Sequence, residues 1–165
     1  KKYEQLKLLR NNGHFDRDNI YLWGHNSRLD ELQASISRVF LSNLDIWQKK
    51  VNKIAAIYRK FLQEPVLNPV QIKNYKSVYH NYIIRVPMRN KLIAFLDEYG
   101  IETKIHYPIP IHLQNKIFRK KNITLKNTEM QRNEILSLPI YPELSESNAF
   151  LITKKINEFY EKNNF

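Results

Sequence analysis

The chain has 165 residues, 42 % hydrophobic and 12 % aromatic, enough for one folded domain with a core and too apolar for disorder. It has no cysteine, which excludes a disulfide scaffold, a thiolate metal site and a cysteine nucleophile, and suits a reducing cytoplasm. A net charge of +11 favours anionic partners such as phosphorylated small molecules, but the lysines are scattered apart from Arg119-Lys120-Lys121 and pairs such as Lys49-Lys50, so no nucleic-acid role is assigned.

No apolar run reaches the length of a membrane span, and the charged, helix-patterned start is no signal core. Residues 3–10 set Tyr3, Leu6 and Leu9 on one helical face, and Gly13 is placed to stop that helix. A polar loop follows from His14 to His25. From Ser27 a helical stripe begins: Leu29, Leu32, Ile36, Val39 and Phe40. Ser27 and Asp30 have the spacing of a capping box, and a second such pair, Ser42 and Asp45, marks a local break. Beyond it Trp47, Val51, Ile54, Tyr58 and either Phe61 or Leu62 continue the stripe. The pattern predicts two successive helices, 27–42 and 45–63, ended by Pro65 and Pro69.

SVYHNYIIRV (77–86) alternates Val78, His80, Tyr82, Ile84 and Val86 against Tyr79, Asn81, Ile83 and Arg85, the period of a strand. RNKLIAFLDEYG is a short helix with Leu92, Leu96 and Tyr99 on one side and Gly100 as its stop. IETKIHY (101–107) reads as a strand ended by Pro108 and Pro110. A polar, basic stretch (113–128) leads to a short helix, then to extended LSLPIYPEL. A closing helix carries Phe150, Leu151, Ile156 and Phe159. The order implies an α/β class: long connecting helices, then a small mixed or antiparallel sheet covered by helices. There is no internal repeat.

The three glycines, Gly13, Gly24 and Gly100, are too dispersed for a glycine-rich phosphate loop. The five histidines show no metal-ligand spacing, so no metal is expected, and there is no GxSxG. Two polar constellations remain. Asn26-Ser27-Arg28, at the predicted start of a long helix, combines a carboxamide and a guanidinium with free helix amides, a seat for a phosphate. The alternative is a plain cap, with Arg28 paired to Asp30 or Glu31. The second constellation is KIHYPIPIH (104–112), where His106 and Tyr107 stand before two prolines on a stiff rim. Strand alternation sends them to opposite faces. The alternative is a strand edge with a buried tyrosine and an exposed histidine.

LRNNG (9–13), GHNSRLDELQASI (24–36), SVYHNYIIRV, KIHYPIPIHLQ (104–114) and EILSLPIYPEL (134–144) together resemble, in this order, the C-terminal half of the DegT/DnrJ/EryC1/StrS aminotransferases. The resemblance covers nearly the whole chain. It implies part of a fold-type I transferase that uses pyridoxal 5'-phosphate. Such an enzyme moves an amino group from glutamate to a nucleotide-linked keto sugar, in polysaccharide, lipopolysaccharide or glycan biosynthesis.

The resemblance also implies a homodimer with the cofactor at the subunit boundary. Asn26 would reach the cofactor phosphate of the neighbouring subunit, with Arg28 beside it, and His106 and Tyr107 would approach the substrate. The lysine that holds the cofactor covalently belongs in a stretch ahead of LRNNG. No lysine of this sequence has that context, so none is named catalytic and the chain is expected to be inactive alone. Its expected divisions are 1–26 (tail of the large domain and loop), 27–63 (connecting helices) and 64–165 (small α/β domain). Two alternatives are a non-catalytic binding module derived from the family and part of a related sugar dehydratase, in which histidine replaces that lysine.

Overall fold

The computed structural model describes residues 1–114 and 123–164, and the chain forms two compact units, Lys1–Leu44 and Asp45–Phe165. The basic cluster Arg119-Lys120-Lys121 lies outside the described residues.

The first unit opens with α1 (Lys2–Leu9), which buries none of its residues. Gly13 ends it in the left-handed region (φ +79°), donating its N–H to Leu8 O at 2.8 Å. The chain then returns on itself. His14 bridges Ile20, and the Asp16 carboxylate closes the turn by accepting from the backbone N–H groups of Asp18 and Asn19 and from the Asn19 amide. The Asn19 side chain first, then the two backbone donors, hold that carboxyl below its ordinary range.

One helix, α2 (Glu31–Phe61), replaces the two predicted. Its 31 residues rise about 46 Å. The expected break does not form because Ser42 Oγ and Asn43 Nδ2 both turn back onto Val39 O, at 2.8 and 2.9 Å, instead of capping a new helix. The helix also starts later than predicted. Asp30 is the residue whose carbonyl accepts the first helical bond, from Ala34, while Ser27 is tied through its N–H to Arg10 O at 2.9 Å. Gln33 Oε1 reaches back toward Asp30 N–H at 3.4 Å, the reciprocal half of a capping box.

In the second unit β1 (Tyr82–Arg85) pairs antiparallel with β2 (Ile135–Leu138), Tyr82 opposite Leu138 and Arg85 opposite Ile135. Two single bridges widen this sheet: Leu67 adds to β1 through Arg85, and Lys104 adds to β2 through Ser137. The predicted strand 77–86 is shortened because Tyr79 has φ +45°, which no extended chain adopts. The predicted strand 101–107 is reduced to the bridge at Lys104. Helices α3 (Arg89–Asp97), α4 (Lys126–Gln131) and α5 (Glu146–Lys162) complete the unit. α3 stops where Gly100 takes φ +68°, and α5 starts where Ser145 Oγ accepts from Asn148 N–H at 3.1 Å.

The core is continuous. It joins Ile54, Ala55, Ile57 and Tyr58 of α2, Tyr82 and Ile84 of β1, Leu92 and Leu96 of α3, Leu136 and Leu138 of β2, and Ile152, Ile156, Phe159 and Tyr160 of α5. Tyr82, Ile84 and Val86 are inward as the alternation predicts, but Val78 and His80 precede the strand and are exposed. On α5 the buried stripe is shifted: Phe150 and Leu151 are exposed, with Phe150 edge-on to Phe61. Tyr99, expected on the apolar side of α3, is exposed and lies under the Lys155 ammonium.

Three core tyrosines keep their hydroxyls satisfied. Tyr58 donates to Pro139 O and Tyr160 to Pro87 O, both at 2.7 Å, and Tyr82 donates to Asn68 Oδ1 at 2.9 Å. Burial raises all three hydroxyl pKa values, that of Tyr82 to about 12.

Candidate functional site

In the first unit LRNNG and GHNSR form one backbone-locked pair. Asn11 bridges Asn26, His25 N–H donates to Leu9 O at 2.8 Å, Asn12 N–H donates to His25 O at 3.1 Å, and Tyr21 N–H donates to Gly13 O at 3.0 Å. The glycines make this approach possible. A Cβ on Gly24 would lie 2.4 Å from Gly13 N and 2.6 Å from Leu9 O, and one on Gly13 would lie 1.6 Å from Leu22 O. The sequence treats Gly13 only as a helix stop and leaves Gly24 unexplained; its second role is visible only once the two motifs meet.

This pair carries Asn26 and Arg28, both exposed. An Arg28 terminal nitrogen donates to Asn11 Oδ1 at 3.0 Å, so the predicted pairing of Arg28 with Asp30 or Glu31 does not form. The Asn26 amide is without a partner among the described residues, free to donate. Neither residue sits on the first helical turn, which starts at Glu31, so the helix amides are not the immediate neighbours that the sequence suggests. What is left is a small donor surface, a carboxamide and a guanidinium on a rigid backbone.

The second unit holds an open cleft of about 610 Å³, lined among others by His80, Lys104, His106, Ser137, Tyr141 and Asn148. His106 Nδ1 lies 2.8 Å from Ser137 Oγ, and Ser137 is buried in β2. On its other side His106 helps line a smaller cleft of about 230 Å³, together with Tyr107 and Arg132. Tyr107 is 74 % exposed while His106 is half-buried, the reverse of the strand-edge alternative. The His106–Tyr107 peptide is cis, and the two rings meet edge-on with centroids 5.4 Å apart. Beyond the prolines, His112 Nε2 meets Glu129 Oε1 at 3.1 Å, and Glu129 also accepts Leu125 N–H at 2.9 Å. That backbone donor first, and His112 second, lower the Glu129 carboxyl pKa.

Sequence reasoning missed Ser137. A lone serine in the apolar run LSLP carries no local signal, and its partner lies far away in the chain. Among the described residues no group of three His, Cys, Asp or Glu side chains converges as a metal site, and no helix is long and apolar enough to cross a membrane.

Comparison with known proteins bears on this architecture of a two-stranded antiparallel sheet with helices, preceded in the chain by one long helix. The profile of the DegT/DnrJ/EryC1/StrS aminotransferase family matches residues 1–157, and the chain belongs to that family. A relative described as a pleiotropic regulatory protein, from Geobacillus stearothermophilus, is 39 % identical over 95 % of this chain and 44 % of its own length. The dTDP-3-amino-3,4,6-trideoxy-alpha-D-glucose transaminase of Streptomyces venezuelae is 34 % identical over 96 % of this chain and 43 % of its own length. The crystal structure of S. venezuelae DesV in complex with a ketimine intermediate superposes with a TM-score of 0.90 at 33 % identity, covering 96 % of this chain and 44 % of DesV. The chain thus spans under half the length of the relatives it matches.

Proposed function

We propose that this chain is the C-terminal part of a pyridoxal 5'-phosphate-dependent enzyme that transfers an amino group, from glutamate, to a nucleotide-linked keto sugar for glycan or polysaccharide synthesis. The enzyme works as a cytoplasmic homodimer. The observation that carries this reading is the 0.90 superposition on S. venezuelae DesV, which holds a ketimine intermediate, over 96 % of this chain, beside 34 % identity to a dTDP-amino-sugar transaminase.

The residues present fit the cofactor by their donor chemistry. Asn26 offers a carboxamide NH2 and Arg28 a guanidinium, one of whose donors is spent on Asn11, and N–H donors of this kind suit a doubly charged phosphate. Both are held on a backbone that two glycines lock. In this reading Asn26 binds the phosphate of the cofactor in the neighbouring subunit, and Arg28 adds charge beside it. When bound, pyridoxal phosphate supplies the electron sink that lets a proton leave the carbon bearing the amino group. His106, which lines both clefts, and Tyr107, which lines the smaller one, bind and orient the sugar or its nucleotide, and the surplus positive charge favours the approach of a phosphorylated substrate.

Asn26→Ala in the complete enzyme weakens cofactor retention by about 1–3 kcal/mol, the cost of a hydrogen bond to a charged group. His106→Ala raises the KM for the sugar substrate and leaves the absorption spectrum of the bound cofactor intact. Unchanged cofactor affinity in the first variant removes the phosphate role; loss of the cofactor spectrum in the second moves His106 out of the substrate site.

A further inference from the structure

The geometry points to Ser137 as a positioning residue: its hydroxyl donates to Nδ1 of His106 and so presents the opposite ring nitrogen, as Nε2–H, for donation to an acceptor oxygen of the ligand in the cleft. The assignment of the donor follows from what surrounds the serine. Its backbone is held on both sides, the N–H donating to Lys104 O at 2.8 Å and the C=O accepting from Lys104 N–H at 3.2 Å, with Ile83 of β1 as its strand partner. The side chain therefore has little freedom to turn elsewhere. Ser137 is 6 % exposed, and Nδ1 of His106 is the one partner of its hydroxyl among the described residues. If Nδ1–H donated instead, the serine proton would have no protein acceptor among the described residues, the costlier arrangement for a side chain this little exposed.

A nitrogen that accepts at Nδ1 forces the neutral ring to carry its proton at Nε2. Nε2 has no partner among the described residues. It is also absent from the buried polar atoms that lack one, so it keeps some exposure to solvent, on a residue that lines the cleft. The neutral ring of His106 thus offers its ligand a hydrogen-bond donor, and its ligand is an oxygen that accepts: a sugar hydroxyl or carbonyl, or a phosphate ester. It is not poised as a base, because the lone pair that could take a proton is occupied by Ser137. This rests on the reading that His106 faces the sugar substrate; the Ser137 assignment itself does not.

The test uses the complete enzyme with its cofactor, labelled with ¹⁵N-histidine, the His106 signals being assigned by their loss in His106→Gln. At a pH where the ring is neutral, Nδ1 resonates as an unprotonated, hydrogen-bonded nitrogen and Nε2 as a protonated one. In Ser137→Ala the Nδ1 signal moves to the position of a nitrogen that accepts no hydrogen bond. The KM for the sugar substrate rises about tenfold while kcat stays within about twofold, and Ser137→Thr restores both. A protonated Nδ1 in the wild type, or an Nδ1 signal unmoved in Ser137→Ala, overturns the proposal. The expected spectra with a KM that His106→Ala leaves unchanged refute the substrate contact of His106 and leave Ser137 as the residue that sets its tautomer.

Discussion

The two units of this chain are held together by different means. In Lys1–Leu44 the one buried residue is Gly13, and Tyr3, Trp23, Leu29, Leu32, Ile36, Val39 and Phe40 are exposed. Its order rests on backbone hydrogen bonds between LRNNG and GHNSR and on two glycines that let the two segments touch. In Asp45–Phe165 the apolar side chains converge on one core, and even the polar tips of its tyrosines are satisfied. The same kind of helical stripe therefore has two outcomes along α2: Val51, Ile54 and Tyr58 are buried, and Leu32, Ile36 and Val39 are not. Apolar periodicity specifies a face; it does not specify what covers it.

Paired substitutions on α2 and β2 give the largest separation between the units. Leu136→Ala, at a fully buried β2 position, is expected to cost about 2–5 kcal/mol by deleting core volume. Leu32→Ala, at a position 74 % exposed, is expected to change the stability of the chain by less than about 0.5 kcal/mol. Urea melts of both variants check the pair, and a large loss for Leu32→Ala would show that its face is covered after all.

The glycines give a second, smaller contrast. Gly100→Ala meets nothing within 4 Å and bears only its left-handed backbone, roughly 1–2 kcal/mol. Gly13→Ala adds a collision with Leu22 O to the same backbone penalty, so it costs more than Gly100→Ala. Hydrogen exchange locates the damage: the amides of Asn12, Tyr21 and His25 lose protection in Gly13→Ala and keep it in Gly100→Ala.

The least effect is expected from pH, and it acts on the second unit at both ends of the scale. Tyr82 has its pKa raised by burial from 10.0 to about 12, so the folded state keeps a proton that the unfolded chain releases. Its contribution is intact below pH 10 and is lost as pH rises toward 12. Glu158, bonded first to Lys162 and then to Lys155, has its pKa lowered from 4.5 to about 2; its contribution is intact above pH 4.5 and fades as pH falls toward 2. Melting curves across pH for Tyr82→Phe and Glu158→Gln check the two arms, each variant flattening its own.

The sequence shows those parts of this structure whose causes are local. The αL stops at Gly13 and Gly100, the alternation in Tyr82–Val86 and the closing helix each depend on a few neighbouring residues. What it misstates is decided elsewhere. Ser27 and Asp30 have cap spacing, yet Arg10 O claims the Ser27 N–H and the helix begins later. Ser42 and Asp45 look like a second start, yet the Ser42 side chain bonds within the helix it was expected to interrupt. Of the candidate site, His106 and Tyr107 are visible as a polar pair before prolines, while Ser137 is silent because its chemistry exists only after distant segments meet.

The spacing of the β1–β2 pair also bears on how the chain is made. Tyr82 finds Leu138 only after 56 further residues have been added, and at about 5–20 residues per second that is several seconds of translation. The LRNNG–GHNSR lock, by contrast, closes over a short loop, with Asn11 meeting Asn26. On the ribosome the candidate phosphate-binding surface is thus free to form first. The apolar strand Tyr82–Arg85 waits with a bare edge, and during that interval a nascent chain is most exposed to wrong pairing or to capture by a chaperone.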